Sequence, residues 1–213
     1  MKKFVAFFIA ACIGSLGYTQ SFRKGDVVVG LGGGLSIYRY QFTDVTNNIV
    51  NPRDTSGAWS FPIGVEYGIT NWLSGNFTFN YNNYIEGDSA TNENAKGIDF
   101  LIGVGLHVPW QLKKFDLCAK VEYGMSRFSY TFANANNNAE AKALGSALFI
   151  TLNPRFYFSK SSRLGMGFWY RYSMYNYKNG ATTDNLGNEA KFKLDGPGNS
   201  FGLNLFYNIH GER

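Results

Sequence analysis

Eight segments of this chain repeat one pattern: large apolar residues at every second position, with small or polar residues between them. Alternate residues of a strand point to opposite faces, so each segment has one greasy face and one hydrophilic face. The segments run over 25–40, 59–70, 72–84, 97–108, 115–130, 145–158, 163–177 and 198–209. In the first, "GDVVVGLGGGLSIYRY", Val27, Val29, Leu31, Gly33, Leu35 and Ile37 share one face. Val28, Gly30, Gly32, Gly34, Ser36 and Tyr38 share the other. The glycines do not make a nucleotide loop. Gly30 and Gly32 match the start of G-x-G-x-x-G, but position 35 is leucine and no helical periodicity follows.

Segments of 10–16 residues are long enough to cross an apolar slab as tilted strands, and the count is even. Pro62 and Pro154 interrupt two of them, a minor departure from ideal strands that a bulge could absorb at each. The connections alternate in length. Residues 39–58, 85–96, 131–144 and 178–197 read as long polar loops, while Asn71, 109–114 and 159–162 are short. Short turns at one end and long loops at the other are the rhythm of an outer-membrane barrel. Trp72, Trp110, Phe115, Phe158 and Tyr207 fall near the short-turn end. Tyr38, Tyr40, Trp59, Tyr84, Tyr130, Tyr175 and Tyr177 fall near the other, where a headgroup belt is expected. The expected fold is therefore all-β, an eight-stranded antiparallel up-and-down transmembrane β-barrel.

The N-terminus, "MKKFVAFFIAACIGSLGYTQ", has two lysines, an apolar run of about ten residues and then small residues, which reads as a signal peptide. Residues 1–20 are expected to be removed, leaving 21–213 as the barrel domain. Cys118 is then the one cysteine, so no internal disulfide is expected. The chain carries 20 basic and 15 acidic residues, and Lys2 and Lys3 belong to the leader. So mild and scattered an excess gives no reason to expect nucleic acid as a partner.

The mature chain resembles the small outer-membrane β-barrels, the class that contains the transmembrane domain of outer membrane protein A. "VVVGLGGGLSIY" and "FLIGVGLHVPW" are also similar to barrel-domain proteins of Bacteroidetes-type bacteria. The resemblance implies a place in the outer membrane of a Gram-negative bacterium, with long loops extracellular and termini periplasmic. It carries over no functional residue. The chain departs from the class at its end: such barrels usually finish on an aromatic residue, whereas Tyr207 is the last aromatic in "FYNIHGER".

Eight strands enclose room for side chains or one small ligand. The hydrophilic faces carry Glu66, Asp99, Lys120, Glu122, Arg155 and Arg171, which are expected to pair or hydrate one another as an interior polar plug. A nucleophile and base are not visible. The two histidines are His107, expected inside, and His210, beyond the last strand. Outer-membrane lipid A deacylases use His-x-Ser on an outward face, but "HVPW" has proline at 109. No cluster has metal-ligand spacing, so no catalytic, metal or cofactor residues are expected. "KFKLD" at 191–195 alternates, and Lys191, Phe192, Lys193 and Leu194 could offer an edge to another envelope protein by strand addition. Lipid and lipopolysaccharide are the other expected partners. The reading is a non-enzymatic integral barrel with a structural, surface-exposed or interaction role. The alternatives are a narrow pore or apolar-solute transporter, and a lipid-modifying enzyme.

Overall fold

The computed structural model describes residues 22–85, 92–108, 114–133, 138–158, 163–184 and 186–209. The expected leader at 1–20, along with Trp110 and His210, lies outside them. Eight strands follow in chain order: β1 (Val27–Asp44), β2 (Ile49–Gly68), β3 (Leu73–Ile85), β4 (Asn92–His107), β5 (Phe115–Ala133), β6 (Asn138–Tyr157), β7 (Leu164–Asp184) and β8 (Glu189–Ile209). Each pairs antiparallel with its neighbour, and β1 pairs with β8 to close the ring. Closure leaves no sheet edge along the paired strands, which is the requirement for a sheet set in lipid.

The side-chain distribution is inverted relative to a water-soluble protein. Leu31, Ile102 and Met125 are more than 60% exposed, while Glu66, Asp99, Glu122 and Arg155 are at most 2% exposed. The outward face of β8 shows where this greasy band stops. Glu189, Lys191, Lys193 and Asp195 point outward first; Phe201, Leu203, Leu205, Tyr207 and Ile209 follow on the same face. The apolar part is about the 9–11 residues a tilted strand needs to cross a bilayer. The charged part projects beyond it.

The projecting part corrects the reading of long loops. Residues 39–58 are mostly strand, with a short turn at 45–48 in which Asn48 takes φ 55°. Residues 178–197 likewise continue β7 and β8 to a turn at Gly187, φ 81°. These polar stretches face water on the outside, so an apolar alternation was never required of them. The prolines are absorbed without bulges. The register shifts at Gln41/Thr43, Leu144/Ser146 and Tyr177/Gly180, and not at the prolines. Pro62 bridges Asn80 on β3, and the β1–β2 ladder skips it with the register unchanged. Pro154 bridges Leu117 on β5, and the β6–β7 ladder skips it in the same way. A missing N–H costs one bond on one side without displacing the strand.

The glycine run in β1 serves packing. Gly34 faces Gly202 across the β1–β8 seam, and a Cβ on either would lie 2.6 Å from Cζ2 of Trp169. The two bare backbones make room for that indole, which is buried inside the barrel.

Candidate functional site

The inward faces stack three zones along the barrel axis. At the end where β1 begins and β8 stops, Glu66 of β2 is the hub. Its Oε2 accepts from Arg155 Nη2 of β6 and Lys120 Nζ of β5, each at 2.6 Å, and its Oε1 lies 2.6 Å from His107 Nε2 of β4. Asp116 flanks the other side of the imidazole, with both carboxylate oxygens 3.0 Å from Nδ1, and sits 3.6 Å from Arg155 Nη1. The Phe22 ring stacks on His107 with centroids 3.6 Å apart. Cys118 Sγ lies 3.6 Å from His107 Nε2. Alternate charges held this closely satisfy one another, and removal of one leaves its partner buried and uncompensated.

The middle zone is neutral donors around isolated charges. Glu122 accepts from Asn76 Nδ2 at 2.7 Å and Thr78 Oγ1 at 2.6 Å. Arg171 donates to Thr151 and Asn80, and its guanidinium lies over the Phe149 ring at 4.4 Å and the Trp169 ring at 5.0 Å. Asp99 accepts from Asn80, Asn82, Ser126 and Tyr175. Ser36 links Ser60 and Ser200 at 2.6 and 2.7 Å, and Ser60 donates to Asn82. All six interior charges named from the sequence thus point inward. Glu66, Lys120 and Arg155 meet; Asp99, Glu122 and Arg171 are held separately. Around the hub and Arg171 the interior retains a space of about 60 Å³, the room of about two waters.

The third zone is an aromatic cup inside the projecting hairpins, with a volume of about 390 Å³. Tyr38, Phe42, Phe128, Tyr177, Phe192 and Leu194 line it. Tyr38, Tyr175 and Tyr177 also make its floor, because their hydroxyls bond Asn82, Asp99 and Ser126 below. This corrects the expected headgroup belt. Tyr38, Tyr175 and Tyr177 are buried inside, and Tyr84 and Tyr130 pack against them, whereas Trp59 is exposed on the outside. The parity of Tyr38 with Ser36 and of Tyr175 with Ser173 already carried that information.

The 191–194 segment is corrected too. Phe192 and Leu194 pair with Asp44 and Phe42 on β1 and with Gly180 and Tyr177 on β7. Both backbone edges are occupied, so strand addition has no edge there. Phe192 turns inward and stacks on Phe42 at 5.1 Å, while Lys191 and Lys193 face outward.

No protein-family model matches the chain, and no curated protein matches it. Its shape does have matches among solved structures. It is similar to the attachment invasion locus protein Ail of Yersinia pestis at 11% identity and TM-score 0.50, covering 87% of this chain and 99% of that one. It is similar to the outer membrane protein OprG of Pseudomonas aeruginosa at 10% identity and TM-score 0.53, covering 89% and 98%. This chain has the fold of the small outer-membrane β-barrels. A third match is the outer membrane protease OmpT of Escherichia coli, at 10% identity and TM-score 0.54, covering 90% and 99%. Fold alone therefore does not separate enzyme from non-enzyme, and the site must.

Proposed function

We propose that this chain is a non-enzymatic integral outer-membrane barrel that holds a small apolar molecule in its aromatic cup. The termini are periplasmic and the hairpins extracellular, so the cup opens to the outside. The apolar band meets lipid and lipopolysaccharide, and residues 1–20 serve as the export signal. The observation that carries the reading is the cup itself. Its volume falls in the range of small-molecule sites, about 300–1,000 Å³, and its walls are rings and aliphatic groups above a few convergent hydroxyls. Deeper in the barrel, the space around Glu66, Arg155 and Arg171 is only about 60 Å³, room for about two waters, which argues against an open pore.

The test uses N-phenyl-1-naphthylamine, an apolar dye, with the full chain folded in detergent micelles. Binding should saturate at one dye per chain and fall at least tenfold in Ala141→Trp, which fills the cup from β6. Heat-modifiable gel migration reports whether that variant is folded. Equal binding by folded wild type and folded variant would remove the cup as the site. Planar bilayers containing wild type should show no single-channel steps.

A second reading, passage of the apolar molecule sideways, is favoured by one observation. The β1–β8 ladder runs from Tyr38↔Gly198 to Gln41↔Asp195 and skips the two steps between. The skipped residues, Arg39, Tyr40, Gly196 and Pro197, line the cup. Proline supplies no N–H there, so that seam is a weak stretch of wall around the cup. The strands remain close, since a Cβ on Gly196 would meet the Arg39 backbone. A disulfide between cysteines at 39 and 197 should block dye exchange between cup and lipid if the seam opens. It should leave that exchange unchanged if the cup loads only from water.

A further inference from the structure

Glu66, His107 and Cys118 come from three different strands, and all three are buried. A carboxylate oxygen, an imidazole nitrogen and a sulfur thereby lie within 4.8 Å of one another. We propose that these three side chains bind a divalent transition-metal ion, zinc by preference, inside the barrel at the end where β1 begins and β8 stops.

Four features support a site over a simple charge cluster. The donors are the soft and borderline set that zinc selects, which magnesium and calcium do not. Asp116 already grips Nδ1 of His107 at 3.0 Å, as the outer carboxylate does in carboxylate–histidine–zinc arrangements, and so turns Nε2 toward the other two donors. A fourth position is provided. Gly105 has no side chain, and a Cβ there would sit 3.1 Å from Cys118 Sγ, 3.7 Å from Asn76 Oδ1 and against Ser74 Oγ. Asn76 Oδ1 is buried without a hydrogen-bond partner, in front of that same glycine, while its Nδ2 is held by Glu122. A buried amide oxygen left unsatisfied is uncommon, and a cation or its bound water would satisfy it.

The geometry and the charges are compatible with an ion. Bonds of about 2.0–2.3 Å in a tetrahedron put donors roughly 3.2–3.7 Å apart. Nε2 and Sγ are already separated by 3.6 Å and all three donors lie within 4.8 Å of one another, so a small shift of the carboxylate, away from its 2.6 Å contact with Nε2, sets the spacing. Lys120 and Arg155 hold Glu66 by Oε2, and Oε1 faces the imidazole, with Arg155 Nη1 further off at 3.4 Å. A divalent ion that displaces the thiol proton and the imidazolium proton leaves the net charge of the cluster unchanged. The two cations therefore do not forbid it. The ion would tie β2, β4 and β5 together beneath the Phe22 ring.

The test uses the full chain, stripped with EDTA and folded in detergent micelles, with Zn²⁺ or Co²⁺ alone as the probe. Equilibrium dialysis should give one Zn²⁺ per chain. Co²⁺ should develop the near-ultraviolet thiolate-to-cobalt band and the intense visible spectrum of a tetrahedral site. Cys118→Ala should abolish the thiolate band and weaken Zn²⁺ at least tenfold while keeping its heat-modifiable gel shift. Asp116→Asn should weaken Zn²⁺ about 10–100-fold through loss of imidazole orientation. Failure of the folded wild type to bind, or binding with no thiolate band and no dependence on Cys118, would overturn the site. Dye binding in the cup is read separately and does not depend on either outcome.

Discussion

Nη2 of Arg155 on β6 lies 2.6 Å from Oε2 of Glu66 on β2, two strands that stand opposite each other in the ring. This pair bridges the diameter of the barrel, so it couples walls that share no backbone hydrogen bonds. Both side chains are 2% exposed, which makes an unpaired survivor costly. Arg155→Leu should destabilise the folded barrel by about 3 kcal/mol, the lower end for breaking a buried pair, because Lys120 and His107 still face Glu66. Urea unfolding in lipid vesicles measures this. Adding Glu66→Gln to Arg155→Leu should recover part of the loss, and an unchanged midpoint for the single variant would show that the bridge contributes nothing.

The height of the membrane band gives a second prediction. Ile102 is 69% exposed and sits midway along the outward apolar run of β4, whereas Val50 is 61% exposed near the tip of the β1–β2 hairpin. Exposure is nearly equal, and only depth differs. Ile102→Arg should cost about 2–4 kcal/mol in vesicles, the value for arginine at the bilayer midplane, and Val50→Arg close to nothing. Equal costs at both sites would mean that the apolar band does not define the depth.

The alternation that exposes Ile102 was legible in the sequence, and so was the inward direction of Glu66, Asp99, Lys120, Glu122, Arg155 and Arg171. Period two decides facing without any knowledge of neighbours. It does not decide height. That Glu66 meets Arg155 and His107, while Arg171 meets Asn80, depends on register and stagger around a closed ring. Most of the hairpin tips were misread as loops because their outward residues meet water and need not be apolar; only at 191–195, where Phe192 and Leu194 alternate with Lys191 and Lys193, was the strand period visible. The cup was missed for a related reason: Phe42 and Phe192, far apart in the chain, become stacked neighbours only when β8 returns to β1. The metal-ligand set was hidden because its three donors lie on β2, β4 and β5 with no common spacing.

Acid should loosen the β7–β8 hairpin tip. Asp184 accepts from Asn188 Nδ2 at 2.9 Å, from Asn188 N at 2.8 Å and from Leu186 N at 2.9 Å. The Asn188 side-chain bond, followed by those backbone amides, holds its carboxyl below the ordinary carboxylate value. A depressed acid stabilises the folded turn fully above its unfolded value, and the contribution fades as pH falls through the lower folded value. The protection of the Leu186 and Asn188 turn amides, measured relative to the intrinsic exchange rate at each pH, should therefore fall as acid is added, and Asp184→Ala should show that lower protection at neutral pH as well. NMR line shapes or exchange rates in micelles report it. Amides whose exchange follows pH identically in wild type and Asp184→Ala would show that the carboxylate does not hold the turn.

Neighbouring glycines of the β1 run should respond oppositely to the same substitution. A Cβ on Gly33 points outward and meets only the Phe61 ring, at 3.9 Å, which is ordinary contact. A Cβ on Gly34 points inward against the Phe201 carbonyl and lies 2.6 Å from the Trp169 ring, with Gly202 Cα at 2.8 Å. Backbone on one side and a buried indole on the other leave it nowhere to move. Gly34→Ala should destabilise the barrel by about 1–3 kcal/mol, the usual cost of overpacking. Gly33→Ala should be neutral or stabilising by up to about 1 kcal/mol, since it restricts the unfolded chain at no steric cost. Urea midpoints in vesicles distinguish the two, and Trp169 fluorescence should shift only in Gly34→Ala. If both variants melted alike, the run would be serving chain flexibility and not the seating of Trp169 between β1 and β8.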